Sequence, residues 1–174
     1  MATTKWTLDP THSELHFKVK HLMITNVTGS FAVINASVEA DDDKFTNAKV
    51  SFTADPKSID TNNEQRDGHL RTADFFETEK YPEIKFESTN YNASTGKIDG
   101  NLTIRGISKP VSLDVEFHGT TKDPWGNQKA GFSLTGKIHR KEWGLNYNAA
   151  LETGGVLLSD DVKIIAEVQF AKAA

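Results

Sequence analysis

An all-β fold of about eight antiparallel strands is predicted by three features of the sequence. Apolar residues recur at every second position, turn residues separate the runs, and the runs are not continuously apolar. Val111, Leu113, Val115 and Phe117 alternate with Ser112, Asp114, Glu116 and His118. Ile98, Gly100, Leu102 and Ile104 alternate with Asp99, Asn101, Thr103 and Arg105. A period of two places one apolar face on a core and one polar face in water. Strands of a parallel α/β sheet, covered on both faces, read instead as unbroken apolar runs.

The elements follow in order. Strands are expected at roughly 13–22, 27–39, 47–56, 83–91, 97–105, 110–119, 128–139 and 161–171. Between them lie Asp41-Asp42-Asp43, Asn92 to Gly96, Gly106 to Pro110 and Asp123-Pro124-Trp125-Gly126, all rich in turn chemistry. One segment is helical. Thr61-Asn62-Asn63-Glu64 has the form of a capping box with Thr61 as N-cap, and it opens a short helix over about 62–74. Leu70 and Ala73 fall on its apolar side, although Gly68 weakens it. A long loop at 141–159 shows no period and carries Gly144, Gly154 and Gly155. With no internal repeat or boundary, residues 1–174 are read as a single domain.

Composition excludes several function classes. The net charge of -4 argues against nucleic acid as a partner, since phosphate neutralisation requires a basic face. The absence of cysteine removes disulfides and thiol chemistry. No apolar stretch approaches the ~20 residues of a membrane helix, so no transmembrane segment is expected. The first residues lack the apolar centre of a signal peptide. A cytoplasmic location is expected if the natural protein starts here, and a periplasmic one if a leader was removed and Met1 added.

Catalytic patterns are not apparent. There is no G-x-S-x-G, phosphate loop or dinucleotide glycine motif. On one strand His12 and His16 would stand ~13 Å apart, too far for a shared metal ion. His21 has the parity of Leu15, Phe17 and Val19 and points inward, as a strand-end histidine or a polar contact at a cavity mouth. Trp143, Leu145 and Tyr147 form either a plug at one barrel end or a lid that touches a ligand. Neither a metal nor a catalytic residue is assigned.

Eight such strands stack as a sandwich or close as a barrel. An eight-stranded barrel is either just filled or just wide enough for one ligand. The inward positions mix Phe17, Phe52, Phe86, Phe117 and Phe132 with Gly100, Gly136, Ala54, Ala130 and Ala166. Small residues there leave space or let strands bend. Pattern alone leaves hollow and filled barrels equally open.

The motifs also resemble a known family. Leu8-Asp9-Pro10-Thr11-His12-Ser13, the run Phe17 to Leu22, and Gly29-Ser30-Phe31 resemble the opening of YceI-like proteins. Ser58 to Asn63, Arg66 to Leu70, Asp74-Phe75-Phe76, Tyr81 to Phe86, Gly100 to Gly106 with Lys109-Pro110-Val111, and Arg140 to Leu145 continue the similarity in order. Trp143 stands where family members more often carry phenylalanine. The resemblance implies an eight-stranded antiparallel lipocalin-like barrel, a helix over one side, and a polyisoprenoid or fatty-acid-like lipid held along the axis for transport, storage or sequestration. It implies a binding protein rather than an enzyme, with an apolar small molecule as partner and no cofactor beyond the bound lipid. Many members are periplasmic. A homodimer is suggested on family grounds only, for the residues carry no interface signature.

With that implication, ligand contact is assigned by alternation to Phe17, Val19, Phe52 and Phe86, to Leu102, Ile104, Leu113 and Val115, and to Phe132, Leu134, Ile164 and Val168, with His21 and Trp143 at the rim. A one-residue slip in any strand would invert its set. Asp9, His12, Arg66, Asp67, His69 and Arg140 are assigned to holding loops and helix together. The alternatives are a small-substrate enzyme using His21, His69 or Arg140, and a filled barrel acting as a scaffold.

Overall fold

A computed structural model describes residues 3–22, 24–148 and 158–173. Its strands are β1 (Thr4–Leu8), β2 (Glu14–His21), β3 (Thr25–Phe31), β4 (Ile34–Ala40), β5 (Lys49–Ala54), β6 (Ile59–Asp60), β7 (Ile84–Asn92), β8 (Lys97–Ile104), β9 (Ile107–Lys122), β10 (Gln128–His139) and β11 (Asp161–Lys172). The helix α1 spans Glu64–Leu70, and short 3₁₀ turns occupy Pro10–His12, Pro56–Ser58 and Arg140–Trp143.

The ring runs β1-β4-β5-β7-β8-β9-β10-β11 and closes by the pairing of β11 with β1, all antiparallel. It is the expected closed barrel of eight strands. Membership differs from the expectation, because β2, β3 and β6 lie outside the ring as an extension from β11. One edge of β11 explains this. Its last residues pair with β1 (Phe170 with Leu8), and its earlier ones pair with β2 (Ala166 with Leu15).

Asp-Pro steps create two of the breaks. Asp9 caps the turn at Pro10, accepting from the Thr11 amide at 3.1 Å, and Asp55 caps the turn at Pro56, accepting from Lys57 at 2.9 Å. Proline lacks the N–H that a ladder requires, so the chain leaves one sheet edge and resumes in another. The expected strand at 27–39 likewise divides into β3 and β4 around Ala32 and Val33.

Two register shifts also matter. One in β7 between Ser88 and Asn90 leaves Thr89 as an extra residue and turns Tyr91 towards the interior. The other, where Gly131 pairs with Gly119 and Phe132 with Phe117, leaves His118 extra on β9. Such bulges reverse the inward and outward parity of the later residues in the strand.

The helix is shorter than 62–74, and its N-cap is Asn63, whose side chain accepts from the Arg66 amide at 2.9 Å. Thr61 sits two residues earlier. Its amide donates to Asp67 at 2.9 Å and its hydroxyl bonds the same oxygen, so the expected capping residue instead ties the helix to β6. Ala73 is exposed rather than apolar-facing, while Phe75 is buried. In the long loop, the 3₁₀ turn ends at Gly144 with φ of 76°. Residues 149–157, with Gly154 and Gly155, lie outside the described residues.

Candidate ligand cavity

The floor of the barrel is aromatic. Trp6 and Phe45 are 0% and 1% exposed, with ring centroids 4.9 Å apart. Phe45 also meets Phe132 at 4.9 Å and Phe117 at 5.4 Å. It reaches this position from an acidic turn with φ of 62°. Asp42 holds that turn, accepting from the amides of Lys44 and Thr46 and from the Thr46 hydroxyl at 2.8 Å. These bonds, the Thr46 hydroxyl foremost, lower the Asp42 pKa. Alternation cannot signal Phe45, because it is a turn residue.

Above the floor is a cavity of about 410 Å³. One water needs only ~10–15 Å³ on this measure, so the space is of ligand size. Its walls include Leu15, Phe17, Val50, Phe52, Phe86, Leu102, Leu113, Val115, Leu134, Ile164 and Val168. Among the residues assigned from the sequence, Val19, His21, Ile104 and Phe132 line it too. Trp143 does not. Its ring is 0% exposed and donates to the Leu102 carbonyl at 2.8 Å, as part of the packing that supports the wall. The sequence reading missed Phe31, Phe45, Tyr91 and Phe75 as lining residues, whereas Leu145 and Tyr147, read as a plug or a lid, do line the cavity. Burial pushes the Tyr91 pKa up.

The two inward glycines do not make the space. A Cβ on Gly136 would lie 2.3 Å from Leu113 Cδ2, and one on Gly100 would lie 2.6 Å from the Phe86 ring. These glycines let neighbouring side chains lie flat against the wall.

The opposite end carries the polar groups. Thr61, Arg66, His69, Arg140 and Tyr147 line the cavity there, from α1 on one side and the 140–148 segment on the other. His69, Phe75 and Tyr147 form an aromatic triad with centroids 4.9–5.2 Å apart. Arg66 donates from Nε to the Thr61 hydroxyl at 2.7 Å and from Nη2 to the Thr61 carbonyl at 2.6 Å. Arg140 is 4% exposed and donates to the carbonyls of Ser159 at 2.9 Å, Tyr147 at 2.9 Å and Leu145. Burial lowers the Arg140 pKa, while Asp160 opposes this.

Five of the six histidines have separate hydrogen-bond partners. His12 pairs with Asp9 at 2.9 Å, His16 with Glu14 at 3.0 Å, His69 with Asp74 at 2.8 Å and His139 with Asp161 at 3.0 Å. His118 meets Ser133 at 2.6 Å. Asp9 in turn has a pKa well below the usual carboxylate range, through the Thr11 hydroxyl first and His12 next.

The YceI-like domain profile matches residues 6–170. The chain belongs to the YceI-like family. A UPF0312 protein of Staphylococcus aureus is 44% identical over 169 residues, covering 97% of this chain and 98% of that one. The crystal structure of a Campylobacter jejuni YceI protein superposes with a TM-score of 0.76 at 37% identity, covering 89% and 90% of the two chains. A domain from Saccharophagus degradans, described as polyisoprenoid-binding and implicated in plant cell wall breakdown, has the same fold. Its TM-score is 0.71 at 16% identity, with 97% and 98% coverage. This YceI-like chain thus shares its barrel across nearly its full length. No helix among its described residues is long and apolar enough to cross a membrane.

Proposed function

We propose that this YceI-like protein binds one long apolar molecule, a polyisoprenoid or fatty-acid-like lipid, inside the barrel for transport, storage or sequestration. The observation that carries this reading is the 410 Å³ cavity with an aromatic floor, apolar walls and polar groups gathered at one end. Each buried CH₂ contributes about 0.8 kcal/mol, so such a wall can hold a long chain with few polar contacts. The polyisoprenoid-binding description of the S. degradans domain is consistent with this reading.

Binding without catalysis is favoured by the state of the polar groups. The enzyme alternative relied on His21, His69 and Arg140, which do line one cavity. His69 is occupied by Asp74, and three of the Arg140 donor contacts go to backbone carbonyls. A nucleophile and base within hydrogen-bond reach, which covalent catalysis requires, are not found together among the described lining residues. A filled scaffold is disfavoured by the size of the cavity.

The test is to purify the protein natively, extract it with organic solvent and analyse the extract by mass spectrometry. A stoichiometric isoprenoid or long-chain lipid is the expected result. An empty extract, with no uptake of added polyprenols or fatty acids, would overturn the proposal.

A further inference from the structure

The tip of the β2–β3 hairpin is apolar and open to water. Leu22 is 38% exposed with φ of 54°, and Ile24 is 80% exposed. One exposed aliphatic residue is ordinary on a protein surface, but this pair stands at the end of the cavity. Val19 and His21 on β2 and Val27 on β3 turn inward and line it. The hairpin is also tied to the polar end of the barrel. The Ser159 amide donates to the Lys20 carbonyl at 3.0 Å, and Arg140 Nε donates to the Ser159 carbonyl at 2.9 Å.

The outer face of the same sheet is basic. Lys18 and Lys20 on β2, Lys163 on β11 and Lys137 on β10 alternate with inward residues, and register places Lys163 directly opposite both Lys18 and Lys137. None of these four lysines has an ion-pair partner among the described residues. The acids of those strands are engaged elsewhere, Glu14 with His16 at 3.0 Å, Asp161 with His139 at 3.0 Å and Glu167 with Ser133 at 2.5 Å. Like charges directly opposite each other weaken a sheet. In a chain of net charge -4 this row has no internal counter-charge, and an external anionic surface complements it.

An apolar tip beside a cationic face is the composition of a lipid-surface contact. Aliphatic side chains enter the interface, and lysine stems lie along it with their ammonium groups among the phosphates. We propose that the β2–β3 tip and the face formed by Lys18, Lys20, Lys137 and Lys163 dock this protein on an anionic bilayer. Leu22 and Ile24 enter the head-group layer, and the four lysines meet lipid phosphates. The contact sets the polar end of the cavity against the bilayer, where a carried lipid is loaded or released. That consequence rests on the carrier reading, whereas the docking does not.

Vesicle cosedimentation of the full chain tests the docking, with vesicles of phosphatidylcholine alone and of an equal mixture of phosphatidylcholine and phosphatidylglycerol. Each lysine near an anionic surface contributes about fivefold in affinity, so wild type is expected to bind the mixed vesicles at least about tenfold more tightly in low salt. That preference should vanish at about 1 M salt, where the screening length falls to ~3 Å. Lys163→Glu removes one cation and sets an acid opposite two others, so binding to the mixed vesicles is expected to weaken by about tenfold or more. Ile24→Ser leaves the charge unchanged and is expected to weaken it by about fivefold or more, through lost apolar burial. Both positions are exposed, and circular dichroism checks that the variants are folded. Equal binding to the two vesicle types, binding to neither, or wild-type binding by either variant overturns the docking. The lipid content of the natively purified protein is measured in parallel. Bound lipid without vesicle binding leaves the carrier reading standing and removes the docking. Vesicle binding by a protein that neither holds nor takes up lipid does the reverse.

Discussion

Trp143 donates its indole N–H to the carbonyl of Leu102 at 2.8 Å, joining the segment after β10 to the middle of β8. Leu102 turns its side chain into the cavity while its carbonyl is held from behind. Trp143→Phe is expected to destabilise the fold by about 0.5–1.5 kcal/mol, because it removes one buried hydrogen bond to a carbonyl that also accepts in the ladder between β8 and β9. Lipid content should remain at the wild-type level. Urea unfolding and mass spectrometry of the extracted protein measure the two effects, and loss of lipid at unchanged stability would assign Trp143 to the ligand instead.

Ala166 tests whether the cavity volume is what holds cargo. It is 6% exposed and lines the cavity between Ile164 and Val168 on β11. Ala166→Phe projects a ring into empty space rather than into packed atoms, so the usual overpacking cost of ~1–3 kcal/mol is expected to be largely absent. Thermal stability of the lipid-free protein should hold or rise, and uptake of added lipid should fall by at least about tenfold. Uptake at the wild-type level would place the ligand elsewhere.

Much of this arrangement is legible in the sequence because strands alternate locally. The inward sets on β8, β9, β10 and β11 need only their own residues to be read. What is not legible depends on distant partners or on one backbone angle. The division of the first strands follows from Pro10 and Pro56, but which half joins the ring is decided by β11, more than a hundred residues away. Tyr91 reaches the interior through a bulge, and Phe45 through a left-handed turn. The roles of the glycines depend on Leu113 and Phe86, side chains on neighbouring strands.

Those glycines make a graded prediction. At Gly136 an added methyl meets the end of the Leu113 side chain, which can shift towards the cavity. At Gly100 it meets the Glu87 carbonyl oxygen at 2.5 Å, a backbone atom of the barrel wall. Gly136→Ala is expected to cost about 1–3 kcal/mol and Gly100→Ala more. Denaturation midpoints of the two variants decide the order, and a milder Gly100→Ala would contradict the packing described for β7 and β8.

Asp9 links the break after β1 to acid stability. Its pKa is lowered in the fold, chiefly by the Thr11 hydroxyl and His12. A carboxylate with a depressed folded pKa contributes stability above its unfolded value of about 4, and the contribution is lost as pH falls through the folded value. Wild type is therefore expected to exceed Asp9→Asn in urea midpoint at pH 7, with the gap narrowing steadily below about pH 4. A gap independent of pH would mean that the carboxylate contributes through shape rather than charge.

Register also creates a repulsion that alternation conceals. Lys163 on β11 stands directly opposite Lys137 on β10 and Lys18 on β2. None of the three has an ion-pair partner among the described residues. Like charges directly opposite each other destabilise a sheet, and opposite charges contribute ~0.2–1 kcal/mol. Lys163→Glu converts two repulsive neighbours into two attractive ones, so a gain in thermal stability is expected at low ionic strength. At about 1 M salt the screening length falls to ~3 Å, and the gain should disappear. A stability difference that persists in high salt would show that the lysine stem, rather than its charge, was the source of the effect.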